Sequence, residues 1–243
     1  MYLNSIYDIE WKYYDMLYGD LVDDVNFYRN KISKGSTLEL MCGTGRIIGN
    51  LKHLNDRWGL DNDERMLSQV KLKDKNVNTV LGDARNFSIL KKFDNIIIGL
   101  NSLLLFKTEE KVKVLENAKN HLKDNGNIFI DIVMPPDFEE GVVYLGDYKR
   151  KNNLEIYRFF VPIFSNDMKT LQLTYIYDIF EMGEYRRESS ILYLYPENYD
   201  EIKEIVTYAG LKIKKIFGGY NGEKFLKEKS ERMLIILEKV KGL

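Results

Sequence analysis

The chain has one cysteine, Cys42, and two histidines, His53 and His121, among its 243 residues. A single thiol closes no internal disulfide, and so few thiols and imidazoles build no zinc site of the usual ligand spacing. These scarcities read as a reducing, metal-free, cytoplasmic setting. Charge of one sign is missing as well: 36 Lys and Arg stand against 37 Asp and Glu, a formal net charge of -1, so no bulk field draws the chain to nucleic acid or to an anionic bilayer. No apolar run approaches the ~20 residues that cross a membrane. The opening Met1-Tyr2-Leu3-Asn4-Ser5 lacks the basic-then-apolar build of a secretory signal. There is no internal repeat, low-complexity tract or linker rich in proline and serine. What is present is a chain 44% hydrophobic, able to bury a substantial core in one large domain or in one domain with an insertion.

Between Tyr7 and Ile32 the apolar positions Trp11, Tyr14, Leu17, Tyr18, Leu21, Val25 and Tyr28 recur at spacings of three and four, which predicts one or two amphipathic helices. Lys34-Gly35-Ser36 breaks that pattern, and Thr37–Met41 follows as a short strand running into glycines. Arg57–Leu60, Asn78–Leu81 and Phe93–Ile98 are further strands, the last so apolar that it must be buried on both faces. Helices are predicted at Glu64–Leu72 and Glu109–Leu122, the second stopped by Asn125-Gly126; a fifth strand, Asn127–Val133, ends at Pro135-Pro136. Helices alternating with short strands make a parallel sheet with right-handed crossovers. Beyond Pro136 the texture changes to long runs at Val142–Tyr148, Leu154–Phe164, Thr170–Phe180 and Tyr185–Tyr195. Asn152-Asn153, Ser165-Asn166-Asp167 and Met182-Gly183 punctuate them, the pattern of antiparallel hairpins. A helix over Tyr199–Ala209, closed by Gly210, and strands at Leu211–Phe217 and Arg232–Glu238 complete the chain.

The sharpest local signal is Leu38-Glu39-Leu40-Met41-Cys42-Gly43-Thr44-Gly45-Arg46, a strand that feeds a tight glycine turn and opens a helix. Glycine there adopts backbone angles closed to other residues and lets a ligand lie against the main chain. Gly-x-Gly alone fits a purely structural turn equally well. Its surroundings decide the matter. Asp61 ends the second strand about twenty residues on, where a carboxylate accepts hydrogen bonds from both hydroxyls of an adenosyl ribose. Gly82-Asp83-Ala84 ends the third strand, the place for a contact to an adenine edge, and Asn101-Ser102 follows the fourth. All fall at the carboxyl ends of parallel strands, the rim where open αβ sheets bind ligands. The next glycine is Gly49, so the spacing departs from that of dinucleotide sites, and no Gly-Lys-Ser/Thr ends a phosphate loop. Glu39, just before the turn, repels a pyrophosphate and attracts an ammonium or sulfonium. The expected ligand is a cationic adenosine derivative.

These motifs resemble those of the class I S-adenosylmethionine-dependent methyltransferases, and the resemblance covers most of the chain. It rests on Glu-x-x-Cys-Gly-Thr-Gly in Glu39–Gly45, Gly-x-Asp-x-x-x-x-Met-Leu in Gly59–Leu67 and Gly-Asp-Ala in Gly82–Ala84. Tyr14-Asp15-x-x-Tyr18, the insertion after the fifth strand, and the tail Phe217-Gly218-Gly219-Tyr220 with Ser230-Glu231-Arg232 are similar to the small-molecule branch that includes aminosugar N,N-dimethyltransferases. The resemblance implies an α/β, Rossmann-like, seven-stranded, mostly parallel sheet with helices on both faces, an N-terminal helical cap and an inserted antiparallel β-sheet. The cofactor-binding core is then residues 1–136 and 196–243, with 1–34 as the cap, and 137–195 form a lid, substrate or dimerisation subdomain.

It also implies S-adenosyl-L-methionine as cofactor. By position, Glu39 anchors the methionine amino end, main-chain groups around Gly43 and Gly45 line the methionyl and ribose portion, and Asp61 holds the ribose. Met66 packs on the adenine face, with Asp83 and the Ala84 amide at its edge. Tyr14 and Tyr28 fold onto the methionine carboxylate and the sulfonium, and Asn101 lies at the same rim. The residue after the ribose aspartate is usually apolar in the family, whereas here it is Asn62.

Methyl transfer from a sulfonium is an in-line displacement with a good leaving group, so orienting the acceptor matters more than covalent catalysis; orientation alone removes ~7–11 kcal/mol of barrier. Tyr14, Asn101 and Ser102 are the candidates for that task. His53, in a polar stretch, and His121, at a helix end, read as surface or capping residues rather than bases. Cys42 reads as a small residue filling the turn. The expected activity is transfer of a methyl group to a nitrogen, or less readily an oxygen, of a small metabolite, by a homodimer or under a lid, with no membrane or nucleic-acid partner. Modification of RNA or protein, and a non-catalytic S-adenosylmethionine sensor, are the alternatives.

Overall fold

Four consecutive residues, Thr37–Leu40, are buried on both faces of the chain's larger sheet, as a central parallel strand requires. The structure is a computed structural model that describes residues 4–134 and 138–240. The chain opens with β1 (Asn4–Ser5) and three short helices, α1 (Ile6–Glu10), α2 (Tyr14–Tyr18) and α3 (Asp23–Lys31). Then follow β2 (Thr37–Leu40), β3 (Arg57–Asp61), α4 (Glu64–Lys73), β4 (Val77–Leu81), β5 (Phe93–Ile98), α5 (Thr108–Asn120) and β6 (Leu122–Val133). Four long strands come next: β7 (Tyr144–Lys151), β8 (Leu154–Phe164), β9 (Leu171–Glu181) and β10 (Glu184–Leu194). The chain ends with α6 (Tyr199–Tyr208), β11 (Leu211–Phe217) and β12 (Arg232–Lys239).

Two compact units result. The larger joins Leu21–Pro135 with Glu197–Leu243, and the smaller joins Met1–Asp20 with Pro136–Pro196. The stretch 1–34, expected as one cap, is thus divided: its first twenty residues cluster with the inserted segment and α3 clusters with the core.

In the larger unit the strand order is β11-β12-β6-β5-β2-β3-β4. Strands β6, β5, β2, β3 and β4 run parallel, while β12 is antiparallel to both β6 and β11. This is the expected seven-stranded, mostly parallel sheet. The chain winds outward from β2 to β4, then crosses back to lay β5 on the other side of β2. The order reverses at that point, and a crevice opens at the carboxyl ends of the strands beside it. One face of the sheet packs Phe27 and Tyr28 of α3 and Leu67 and Val70 of α4 against Ile97, Phe129 and Leu234. Residues of opposite pleat, Ile96, Ile98, Ile128 and Ile130, are equally buried, so the second face is covered as well. There α5 and α6 pack together and against β6 and β11.

Two expectations for this unit need correction. The glycine turn leads into a 3₁₀ turn at Ile48–Asn50 and not into an α-helix, because the Glu39 carboxylate captures the Ile48 amide that a regular helix would use internally. Asn125-Gly126 does not separate a helix from a strand. Strand β6 already starts at Leu122, and a register shift between Phe93 and Asn95 of β5 absorbs the extra residues. Pro135-Pro136 lie outside the described residues.

In the smaller unit β10, β9, β8 and β7 form an antiparallel sheet, and β1 pairs parallel with β10. Positive φ at Asn152, Met182 and Gly183 closes two of the hairpins at the turns the sequence marked. One sheet face buries Ile156, Tyr177 and Ile179 against Ile9, Tyr13 and Leu17 of the opening helices. Glu10, 1% exposed, accepts hydrogen bonds from the Tyr177 hydroxyl at 2.8 Å and from the Arg158 guanidinium. Arg158 also binds Asp147 through Nε at 2.9 Å. Each buried charge therefore has a partner, as burial demands.

Candidate functional site

In the larger unit, the turn after β2 holds three positive φ angles within five residues: Met41 at 53°, Gly43 at 54° and Gly45 at 74°. A Cβ on Gly45 would stand 3.0 Å from Cγ1 of Val70, so conformation and space both demand glycine there. Cys42 is 4% exposed and its Sγ would lie 2.7 Å from a Cβ on Gly59. Burial pushes its thiol well above the usual range, so it fills space and does not act as a nucleophile.

Two carboxylates converge on this turn. Glu39, 4% exposed, accepts from the Ile48 amide at 2.9 Å, and burial pushes its pKa up to about 8. Asp61 ends β3 and spans two amides, accepting from Gly43 at 2.7 Å and from Asp63 at 3.0 Å. Burial raises its pKa while those amides pull it back. The Asp61 charge adds to the rise at Glu39, and the Asp63 charge to that at Asp61, by like-charge repulsion, so the turn is a place where a cation is stabilised. Behind it, Arg46 forms a buried pair with Asp24 of α3 and donates to the Leu21 carbonyl at 2.6 Å.

Of the remaining residues picked from the sequence, Asp83 and Ala84 follow β4, Asn101 and Ser102 follow β5, Met66 and Tyr28 lie on α4 and α3, and Tyr14 belongs to the smaller unit. Met66 on α4 is 1% exposed. Asp83 is engaged by Arg85, whose Nε lies 3.0 Å away, and that guanidinium holds the carboxyl below its usual range. Ala84 is buried, 3% exposed. After β5, Leu100 and Asn101 take φ of 45° and 62°, a conformation that costs a non-glycine residue roughly 1–2 kcal/mol. Hydrogen bonds hold them there: the Asn101 amide donates to the Asp131 carbonyl at 3.0 Å, and its Oδ1 accepts from the Val133 amide at 2.7 Å. Ser102 Oγ donates to the Gly99 carbonyl at 2.7 Å. Asn101 and Ser102 thus spend their side chains on shaping the loop. Tyr28 is 1% exposed, and its hydroxyl has no hydrogen-bond partner among the described residues. Tyr14 belongs to the smaller unit, on α2, its ring centroid 4.6 Å from that of Tyr18.

Sequence reasoning missed one cluster. Asp131, fully buried in β6, accepts from the Tyr220 hydroxyl at 2.7 Å and pairs with Arg232 of β12. The Arg232 guanidinium lies 4.9 Å from the Tyr220 ring centroid, and its Nη1 is 3.5 Å from Asn101 Oδ1. The available signal was a lone acid inside the apolar run Ile130-Asp131-Ile132, together with the tail motifs that hold Tyr220 and Arg232. No group of acidic, histidine or cysteine side chains suited to a metal ion occurs among the described residues. No helix among them is long and apolar enough to cross a membrane.

Comparison with known proteins agrees with this geometry. Residues 37–126, from β2 into β6, match the family described as a methyltransferase domain. The cypemycin N-terminal methyltransferase of a Streptomyces species is 26% identical over 219 residues, 84% of this chain and 83% of that protein. The dTDP-3-amino-3,4,6-trideoxy-alpha-D-glucopyranose N,N-dimethyltransferase of Streptomyces venezuelae is 23% identical over 205 residues, 82% of this chain and 85% of that protein. The crystal structure of Streptomyces venezuelae DesVI superposes with a TM-score of 0.80 at 20% identity, covering 98% of this chain and 100% of that one. The chain thus shares the fold of that structure, and residues 37–126 carry a methyltransferase domain. The chain is an S-adenosylmethionine-dependent methyltransferase, and S-adenosylmethionine is its cofactor. The residues present fit that group: an acidic turn suited to a cation, and the buried Tyr28 hydroxyl, which has no hydrogen-bond partner among the described residues.

Proposed function

We propose that the chain methylates a nitrogen of a small acceptor, an amine carried on a sugar or at a peptide end. The observation that carries this reading is that two relatives, each aligned over more than four fifths of this chain, are both named as N-methyltransferases. A small acceptor also suits a chain with a formal net charge of -1, which offers no bulk attraction to a nucleic-acid backbone.

S-adenosylmethionine, when bound, supplies the methyl group from its sulfonium. In this reading Glu39 meets the methionine ammonium, Asp61 accepts from the ribose hydroxyls, and the main chain around Gly43 and Gly45 lies along the ligand. Asp83 and the Ala84 amide serve the adenine edge. The Tyr28 hydroxyl completes its hydrogen bonding with a polar atom of the ligand. The Gly99–Ser102 loop, held by Asp131 and Val133, fixes the wall where the acceptor nitrogen must arrive. Holding two reactants in line is worth ~7–11 kcal/mol of the barrier, so a rigid loop is the main catalytic device.

The test is a product assay for S-adenosylhomocysteine with glucosamine, a peptide with a free N-terminal alanine, and catechol as acceptors. Product with an amine and none with catechol supports the reading. Product with catechol alone makes the enzyme an O-methyltransferase, and cofactor binding without any product contradicts the proposed acceptor class.

A further inference from the structure

We infer that Tyr220 and Asp131 form a two-residue relay that takes the proton from the acceptor's ammonium before methyl transfer. The inference rests on the amine reading above. An amine reaches the enzyme at neutral pH largely as the ammonium, whose nitrogen has no lone pair to offer, so a base must act first. Neither histidine is placed for this: His53 Nε2 lies 2.7 Å from the Ile32 carbonyl, and the two ring nitrogens of His121 are engaged by Ile89 and Asn117. Glu39 and Asp61 are committed to the amides of the glycine turn.

Asp131 is the carboxylate beside the acceptor wall, because its own carbonyl anchors Asn101 at 3.0 Å. Its side chain is fully buried, with Oδ1 paired to Arg232 and Oδ2 accepting from the Tyr220 hydroxyl at 2.7 Å; Tyr220 itself is partly exposed. A second observation marks the same place as one that receives a polar ligand. The Tyr28 hydroxyl, 1% exposed at the residue level and without a hydrogen-bond partner among the described residues, lies against the same loop, 3.6 Å from where a Cβ on Gly99 would stand.

The step balances as follows. The ammonium gives a proton to the Tyr220 oxygen while the proton that Tyr220 carried passes to Asp131 Oδ2. The products are a neutral amine with its lone pair free, a protonated Asp131 and an unchanged tyrosine. Burial raises the proton affinity of Asp131, and Arg232 and the Tyr220 hydrogen bond restrain that rise. The charged and titratable groups facing the pair are Arg232 from β12, Asp24 and Tyr28 from α3, and the two members themselves. Asp24 is neutralised by Arg46. Tyr220 touches the acceptor and is the catalytic residue. Asp131 acts through it as a positioning residue that also stores the proton.

Tyr220→Phe keeps the ring, which stands 6.3 Å from that of Phe27, and removes the relay; Asp131→Asn is the second variant. The experiment measures kcat against pH with glucosamine and with a peptide bearing N-terminal alanine, beside calorimetric S-adenosylmethionine affinity for each variant. The relay requires kcat to fall roughly 10²-fold at neutral pH, with the deficit closing as pH passes the amine's own pKa, about 8 for an amino terminus, and with cofactor affinity unchanged. Wild-type behaviour of Tyr220→Phe, or a loss by one factor at every pH, overturns the relay and leaves N-methylation standing. Failure of the wild-type protein to methylate any amine overturns both.

Discussion

The Asp61 carboxylate accepts a hydrogen bond from the Gly43 amide at 2.7 Å, which ties the end of β3 to the glycine turn after β2. The same carboxylate accepts from Asp63 at 3.0 Å, so one side chain organises the loops that follow both β2 and β3. Asp61→Ala removes the proposed ribose acceptor and frees both amides. Cofactor affinity measured by calorimetry should drop by about 1–3 kcal/mol, the range for losing a hydrogen bond to a charged group. Asp61→Asn, which still accepts, should lose less. Unchanged affinity in Asp61→Ala removes the ribose role.

Glu39 makes the site pH-sensitive in a direction that can be stated. Its pKa rises on folding from the usual 4.5 to about 8, so the ligand-free folded state holds a proton that the unfolded state releases. Its contribution to stability is present below about pH 4.5 and is lost as pH rises through about 8. Glu39→Gln should flatten that decline in a series of urea titrations across pH. A cationic ligand draws the carboxylate into its charged form, so cofactor binding near neutral pH should release protons. Calorimetry in two buffers of different ionisation enthalpy reads that release, and it should vanish in Glu39→Gln.

The buried Tyr28 hydroxyl has no hydrogen-bond partner among the described residues, a penalty of about 1–3 kcal/mol in the free protein. Tyr28→Phe should therefore raise the stability of the free protein, by about 1 kcal/mol, and at the same time weaken the cofactor complex. Thermal unfolding with and without S-adenosylmethionine separates the two effects. A loss of stability in both states would mean that the hydroxyl serves the fold.

Away from the rim, Lys111 of α5 is fully buried and pairs with Glu197, whose other oxygen accepts from Thr108 Oγ1 at 2.9 Å. Lys111→Met strands the Glu197 charge in the interior and should cost about 3–5 kcal/mol in urea unfolding. The double variant Lys111→Met with Glu197→Gln should recover much of that loss. If the single and double variants are equally unstable, packing of the lysine stem and not its charge is what matters.

What the sequence disclosed follows from the range of the interactions involved. The glycine turn, Asp61 and the hairpins closed at Asn152 and Met182-Gly183 each depend on backbone conformation within a few residues, and that leaves a local imprint. The apolar run Phe93–Ile98 disclosed a strand covered on both faces for the same reason. Asp131, Tyr220 and Arg232 meet across separations of 89 and 101 residues, and no short motif spells out such a meeting. The 3₁₀ turn after Gly45 was hidden because it depends on a side chain nine residues upstream capturing the Ile48 amide. The division of the opening helices was hidden too, since Leu17 packs against Ile179 and Tyr177 of a distant sheet while Tyr28 packs in the core.

The most direct test of the central claim, that an acidic glycine turn at the strand ends holds a cationic adenosyl ligand, is calorimetric titration of the folded wild-type chain with S-adenosylmethionine, ATP and NAD in turn. Saturable heat at one site per chain with S-adenosylmethionine, and none with either phosphate-bearing nucleotide, is the result this account predicts. Silence with S-adenosylmethionine beside saturable heat with ATP or NAD would contradict it.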